Sequence, residues 1–307
     1  MNTNEWALII FTVVLQMAVG SFVILGGVHF FASRRSGIDA ADKLSDRALL
    51  AIGPVVVFGL IVTLLHLGNP LKAPGAILNV GTSWLSREIL LSLLFSVGGA
   101  IFAFMQWRKL STPTVRNVVG LVVAVVGIAL VYSMAMIYRL FSVPAWDTLA
   151  TPVTFFITTF LLGSLAMGAA FVANFWYIRR RNLDTQNVQY NLLAGSLRWI
   201  ALISIALLGL QFVVIALNLA ALGVQGTEAA TASIEEIAQQ QGVILGVRLL
   251  LLFVGAGLMS VFVYTMVSSE TKLRVVSNMA YAAFGLVLVS ELLGRYLFYA
   301  SMVRIGL

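Results

Sequence analysis

Long apolar runs alternate with short polar stretches along the chain. The eight runs lie at residues 5–32, 45–67, 84–107, 114–138, 152–178, 190–222, 243–267 and 273–303. A bilayer core is about 30 Å thick and a helix needs about 20 residues to cross it, so every run has spanning length. Backbone N–H and C=O groups in lipid must be satisfied within the segment, and over runs this long only helices do so. The expected fold is an all-α integral membrane protein of eight transmembrane helices. Local start signals fit it. Thr112-Pro113 and Thr151-Pro152 each set a capping hydroxyl before a proline suited to the first helical turn, and Ser45 and Ser83 are placed to cap the second and third spans.

Composition narrows the class. Of the 307 residues, 60% are hydrophobic and 10% charged, and the mean hydropathy of +1.00 lies far outside the range of soluble domains. The gaps between runs are about 20 residues or shorter, too short for a separate soluble domain beside the spans; the expectation is a single transmembrane domain over 1–307. The start, Met1-Asn2-Thr3-Asn4-Glu5, lacks a basic region and leads into an apolar stretch too long for a signal peptide, so it reads as a retained first span. With no cysteine, the chain offers no disulfide, iron-sulfur ligand or thiolate metal site. Any cluster must belong to a partner.

The formal charge of +7 follows membrane topology rather than a nucleic-acid face. Eleven basic residues (Arg34, Arg35, Lys43, Arg108, Lys109, Arg116, Arg179, Arg180, Arg181, Lys272 and Arg274) follow the odd-numbered spans, against Lys72, Arg139 and Arg304 in the other loops and tails. By the positive-inside rule the odd loops are cytoplasmic and both termini lie outside, in the periplasm of a bacterium. The first and fifth spans both end in aromatic residues followed by arginines, and the third and seventh carry Arg87 and Arg248 near their outer ends. A four-plus-four duplication, giving two four-helix bundles, would produce this; so would aromatic belts that end many unrelated spans.

This topology gives each unusual polar residue a depth. His66, Arg87, Glu88, Tyr138, Arg139 and Arg248 fall near the outer face, and Glu291, Arg295 and Tyr299 follow at i, i+4 and i+8 on one stripe of the last span. The inner half offers chiefly His29 and its basic flank. Ionisable groups within spans are costly and by default mark a functional site. The plainer readings are an internal Glu291–Arg295 pair, an interfacial Glu88 beside Arg87, and a hydrogen-bonded interfacial His66. His29 and His66, near opposite ends of neighbouring spans, cannot both ligate one haem iron, and no haem is expected. A histidine and a carboxylate at the membrane edge suit the oxidation of a quinol, which must shed two protons and two electrons. With no redox centre in the chain, the electrons would leave to a docked cluster. A secondary transporter or proton pathway using Glu291 and Arg295 is the alternative, although no pair of short, broken spans points to a midplane site.

The wording of the motifs is more specific. His66-Leu67-Gly68-Asn69-Pro70-Leu71-Lys72-Ala73 followed by Ser83-Trp84-Leu85-Ser86-Arg87-Glu88-Ile89 resembles the membrane anchor subunit of bacterial dimethyl sulfoxide reductases. So do Tyr138-Arg139-Leu140 with Pro144-Ala145-Trp146, and Ser290-Glu291-Leu292-Leu293-Gly294-Arg295 with Phe298-Tyr299. The resemblance extends over essentially the whole chain. It implies an anchor in the bacterial inner membrane that tethers an iron-sulfur subunit carrying 4Fe-4S clusters and a molybdopterin catalytic subunit, and that oxidises menaquinol in anaerobic respiration. It assigns His66 and Glu88 to the quinol site. Arg87, Tyr138, Arg139, Arg248, Glu291 and Arg295 are expected as supporting polar groups of the pocket. In the outer loop at 223–242, Ser233 and Glu236 have capping-box spacing, so a short interfacial helix is expected there.

Overall fold

The computed structural model describes residues 3–66, 75, 77–180, 186–268 and 273–306. Among them are nine α-helices and no strand: α1 (Thr3–Ser36), α2 (Ile38–His66), α3 (Trp84–Trp107), α4 (Pro113–Ile137), α5 (Ala150–Arg180), α6 (Gln186–Gln225), the short α7 (Glu228–Glu235), α8 (Gly242–Ser268) and α9 (Leu273–Ala300). All except α7 are long and apolar enough to cross a membrane. The eight expected spans are therefore present as eight helices.

Two of the expected caps form. The Ser83 hydroxyl accepts from the Ser86 N–H at the start of α3, and Thr112 accepts from Val115 at the start of α4, with Pro113 in the first position. Three others are corrected. α2 begins at Ile38, just after the turn made by Gly37 at φ +85°, so Ser45 lies inside the helix and donates to the Ala41 carbonyl at 2.7 Å. The apolar run missed these first two turns because they are polar; they are held by side-chain contacts with the end of α3. α5 begins at Ala150, and Thr151 donates back to the Trp146 carbonyl at 2.6 Å. The short loop helix exists, but Thr227 caps it by accepting from Ala230, while Ser233 donates to the carbonyls of Ala229 and Ser301. Ser233 is buried, and a buried hydroxyl bonds the nearest carbonyls rather than capping a helix.

The spans form two four-membered rings. α1, α2, α3 and α4 pack in cyclic order, as do α5, α6, α8 and α9, and the rings meet chiefly along α1 and α5. A Cβ placed on Gly20 would lie 1.8 Å from the Thr159 carbonyl oxygen, and one on Gly163 would lie 2.2 Å from the Gly20 carbonyl carbon. Backbone thus rests on backbone where the two helices cross. Lipid tails are as apolar as leucine, so helices in a membrane gain by close van der Waals approach rather than by hiding greasy surface, and paired glycines permit it. The same reasoning accounts for the outward faces of α3 and α4, where Leu93, Val97, Ile101, Val118, Val122 and Val125 are exposed. Those side chains belong against lipid.

Polar contacts tie the helices at the bundle's two ends. At one end Asn174 of α5 donates to the carbonyls of Lys43 and Leu44 and accepts from Arg47, Gln189 of α6 donates to the Ala40 carbonyl, and Trp176 donates to Ser277 of α9. At the other, Trp146 donates to the Phe298 carbonyl, Thr148 donates to Asn218 of α6, and the Ile305 N–H donates to the Ser142 carbonyl.

Candidate functional site

The second of these ends holds the candidate residues. Glu88, in the second turn of α3, is buried at 7% exposure. Among the described residues it makes no hydrogen bond or ion pair, and its carboxyl lies within Coulombic range of Tyr138 and Tyr299. The two phenols share a hydrogen bond of 2.7 Å. Tyr138 caps α4 and packs edge-on against Trp146 and Phe298, while Trp146 stacks on Phe298 with ring centroids 5.1 Å apart. These rings fix the phenol pair between the end of α4, the following loop and α9. α2 ends at His66, which puts that residue at the same end of the bundle; its side chain, and the segment through Asn69 and Lys72, lie outside the described residues.

Arg295 is buried without a carboxylate. Its guanidinium sits over the Phe155 ring, 3.7 Å from the centroid, and donates to the Gln16 amide oxygen at 2.8 Å. Gln16 in turn donates to the Phe155 carbonyl. Neither group neutralises the charge, but a ring face and an amide oxygen both favour a cation. The Glu291–Arg295 pair expected as the plain reading does not form: no guanidinium nitrogen approaches that carboxylate within 4.0 Å among the ion pairs of the described residues. Instead Thr158 of α5 donates to Glu291 Oε2 at 2.6 Å. Arg248 is seated against Gly294, where a Cβ would come within 2.6 Å of its guanidinium carbon.

Two expected pocket residues are engaged elsewhere. Arg87 folds back onto the preceding loop, donating to the carbonyls of Val80 and Gly81 at 2.8 Å each and lying over the Trp84 ring. Arg139 pairs with Asp147 at 2.6 Å in the loop after α4, both side chains being about a quarter exposed (28%). Both hold loops in place. The structure thus brings Glu88, Tyr138 and Tyr299 together, sets Arg295 beside them, and puts Glu291 and Arg248 around a neighbouring cavity.

Charge reading overlooked several groups. Gln16, Thr158 and Gln211 are neutral, yet they are buried polar residues in apolar runs, and an amide in mid-span is a signal in itself because it must find a partner in lipid. At the other end, Asp42 and Asp46 of α2 each bind Lys109, at 2.7 and 2.8 Å, and each accept from Gln106. His29 joins them, 2.8 Å from the Ser45 hydroxyl and 3.8 Å from Asp42. Lys109 reaches both aspartates from a left-handed backbone at φ 51°.

Eight helices long and apolar enough to cross a bilayer define a multi-pass membrane protein. Within that class the protein belongs to the DMSO reductase anchor subunit (DmsC) family, whose profile matches residues 1–301. It is similar to the C subunit of the anaerobic dimethyl sulfoxide reductase of Escherichia coli strain K12, with 34% identity over 164 residues, 53% of this sequence and 56% of that protein. The anaerobic dimethyl sulfoxide reductase subunit YnfH of the same organism is 31% identical over 168 residues, 54% of this sequence and 57% of that one. The corresponding C subunit of Haemophilus influenzae is 28% identical over 172 residues, 55% and 60%. The matched region spans little more than half the length of these curated relatives.

Proposed function

We propose that this protein is the quinol-oxidising membrane anchor of a molybdopterin oxidoreductase of the dimethyl sulfoxide reductase type. It sits in the bacterial inner membrane with both termini in the periplasm, takes menaquinol at the periplasmic end, and passes electrons to a docked iron-sulfur subunit that feeds a molybdopterin subunit. Membership of the anchor family supports the assembly. The chemistry rests on one observation: Glu88, buried and unpaired among the described residues, shares the end of the bundle where α2 terminates at His66 with a hydrogen-bonded phenol pair.

A quinol becomes a quinone by giving up two protons and two electrons. Glu88 and His66 accept the hydroxyl protons, as positioned bases do when they lie within hydrogen-bond reach. Tyr138 and Tyr299 orient the head group, and the electrons leave to the partner because this protein has no cysteine to hold a cluster. Arg295 supplies a fixed positive charge nearby. Membranes holding the complex, titrated with a fluorescent quinol-analogue inhibitor, test the site. His66→Ala and Glu88→Gln are each expected to weaken binding about tenfold or more, equivalent to about 1.4 kcal/mol. Wild-type affinity in both variants would remove the site from this end.

A further inference from the structure

Beside the phenol pair, a cavity of about 100 Å³ opens between α5, α6, α8 and α9. Its wall runs from Glu291 and Thr158 within the spans to Ala145 and Ser301 in the loops at the bundle end. Gln211 of α6, Arg248 of α8 and Glu291 of α9 line it and are 0%, 9% and 3% exposed. The described residues supply no hydrogen-bond partner to either amide atom of Gln211, to Arg248 Nε or to Glu291 Oε1. Two donors and two acceptors, all buried, thus belong to residues that line one space. Leaving them unpaired is costly, so whatever fills the cavity must both donate and accept.

Size decides between occupants. A cavity of about 150 Å³ takes a single benzene, whereas one water needs only about 10–15 Å³. A space of about 100 Å³ is large enough for several waters. Among the described residues Arg248 of α8 and Arg295 of its own helix lie near enough to Glu291 to feel its charge, and α5 and α6 present neutral Thr158 and Gln211 to the cavity. We infer that the cavity is a hydrated chamber in which Glu291 exchanges a proton with waters held by Gln211 and Arg248, giving protons an outlet to the loops at this end. A hydronium gives its proton to the Glu291 carboxylate, and the carboxyl returns one to the next water, so no other reactant is needed. The use of the outlet rests on the proposed quinol oxidation; the presence of water does not.

Radiolytic hydroxyl labelling of the wild-type complex in membranes tests the chamber, because radicals form from water where it lies. Val214 and Leu222 line the cavity and are buried; they are expected to label severalfold faster than Leu193 and Leu208, which are likewise buried but outside it, the matched comparison being Leu222 against Leu193 at 1% exposure each. Equal labelling of the four overturns the chamber, and no variant has to fold for that result. Glu291→Gln is then expected to lower quinol turnover about a hundredfold, the lower range for loss of a proton-transfer group, with KM for quinol unchanged. Wild-type turnover in that variant overturns the outlet. Unchanged inhibitor affinity in the His66 and Glu88 variants overturns the quinol site alone and leaves the labelling result standing.

Discussion

The two ends of the bundle treat carboxylates within helices in opposite ways. Asp42 and Asp46 are each met by an ammonium and an amide within 3.0 Å. Glu88 has no such partner among the described residues, and one oxygen of Glu291 has none. A carboxylate taken out of water costs several kcal/mol unless it is paired and hydrogen-bonded. The first end meets that cost and becomes a clamp joining α1, α2 and α3. Among the described residues the second offers Glu88 no such partner and Glu291 only the Thr158 hydroxyl, which marks both as groups kept for something other than holding helices together. Charge within a membrane therefore does not by itself distinguish a strut from a working site; its partners do.

The sharpest test of the contrast is Glu88→Gln set against Asp42→Asn/Asp46→Asn. Glu88→Gln is expected to cut quinol oxidation by about a hundredfold or more while thermal unfolding in detergent stays at or above the wild-type temperature. The double variant should do the reverse, losing about 1–3 kcal/mol of stability with turnover per folded molecule unchanged. An active Glu88→Gln, or an inactive but stable double variant, would erase the distinction. Smaller effects grade the second end. Tyr138→Phe removes one side of the 2.7 Å phenol pair and should cost about 1 kcal/mol of stability, with a severalfold rise in KM for quinol. Arg139→Ala breaks only the partly exposed pair with Asp147. Stability should fall by less than about 1 kcal/mol and inhibitor affinity should hold; tighter dependence on Arg139 would return it to the pocket.

Run length made the spans legible, since a bilayer demands it and few other structures do. Polar extensions were not legible in the same way. The start of α2 at Ile38 depends on Asp42 and Asp46 meeting Gln106 at the end of α3 and Lys109 in the turn after it, about 60 positions away in the sequence (64 for Gln106 and Asp42). At the site, depth alone found Glu88, Tyr138, Glu291 and Arg295, because every residue near one end of a helix shares that depth. Direction was missing. Arg87 and Glu88 are neighbours in sequence, yet the helical turn sends one back to the loop carbonyls and the other inward. Gln16 and Gln211 escaped a search keyed to charge, although an amide in hydrocarbon needs partners as surely as an ion does.

The seam between the rings bears on traffic. At Gly20 and Gly163 not even a methyl group fits between α1 and α5. A crossing that excludes a methyl also excludes an isoprenoid tail, so a membrane-dissolved molecule cannot slip through the middle of the protein there. A tail reaching the site at the bundle end, where Tyr138 of the first ring meets Tyr299 of the second, must therefore come round that crossing rather than through it.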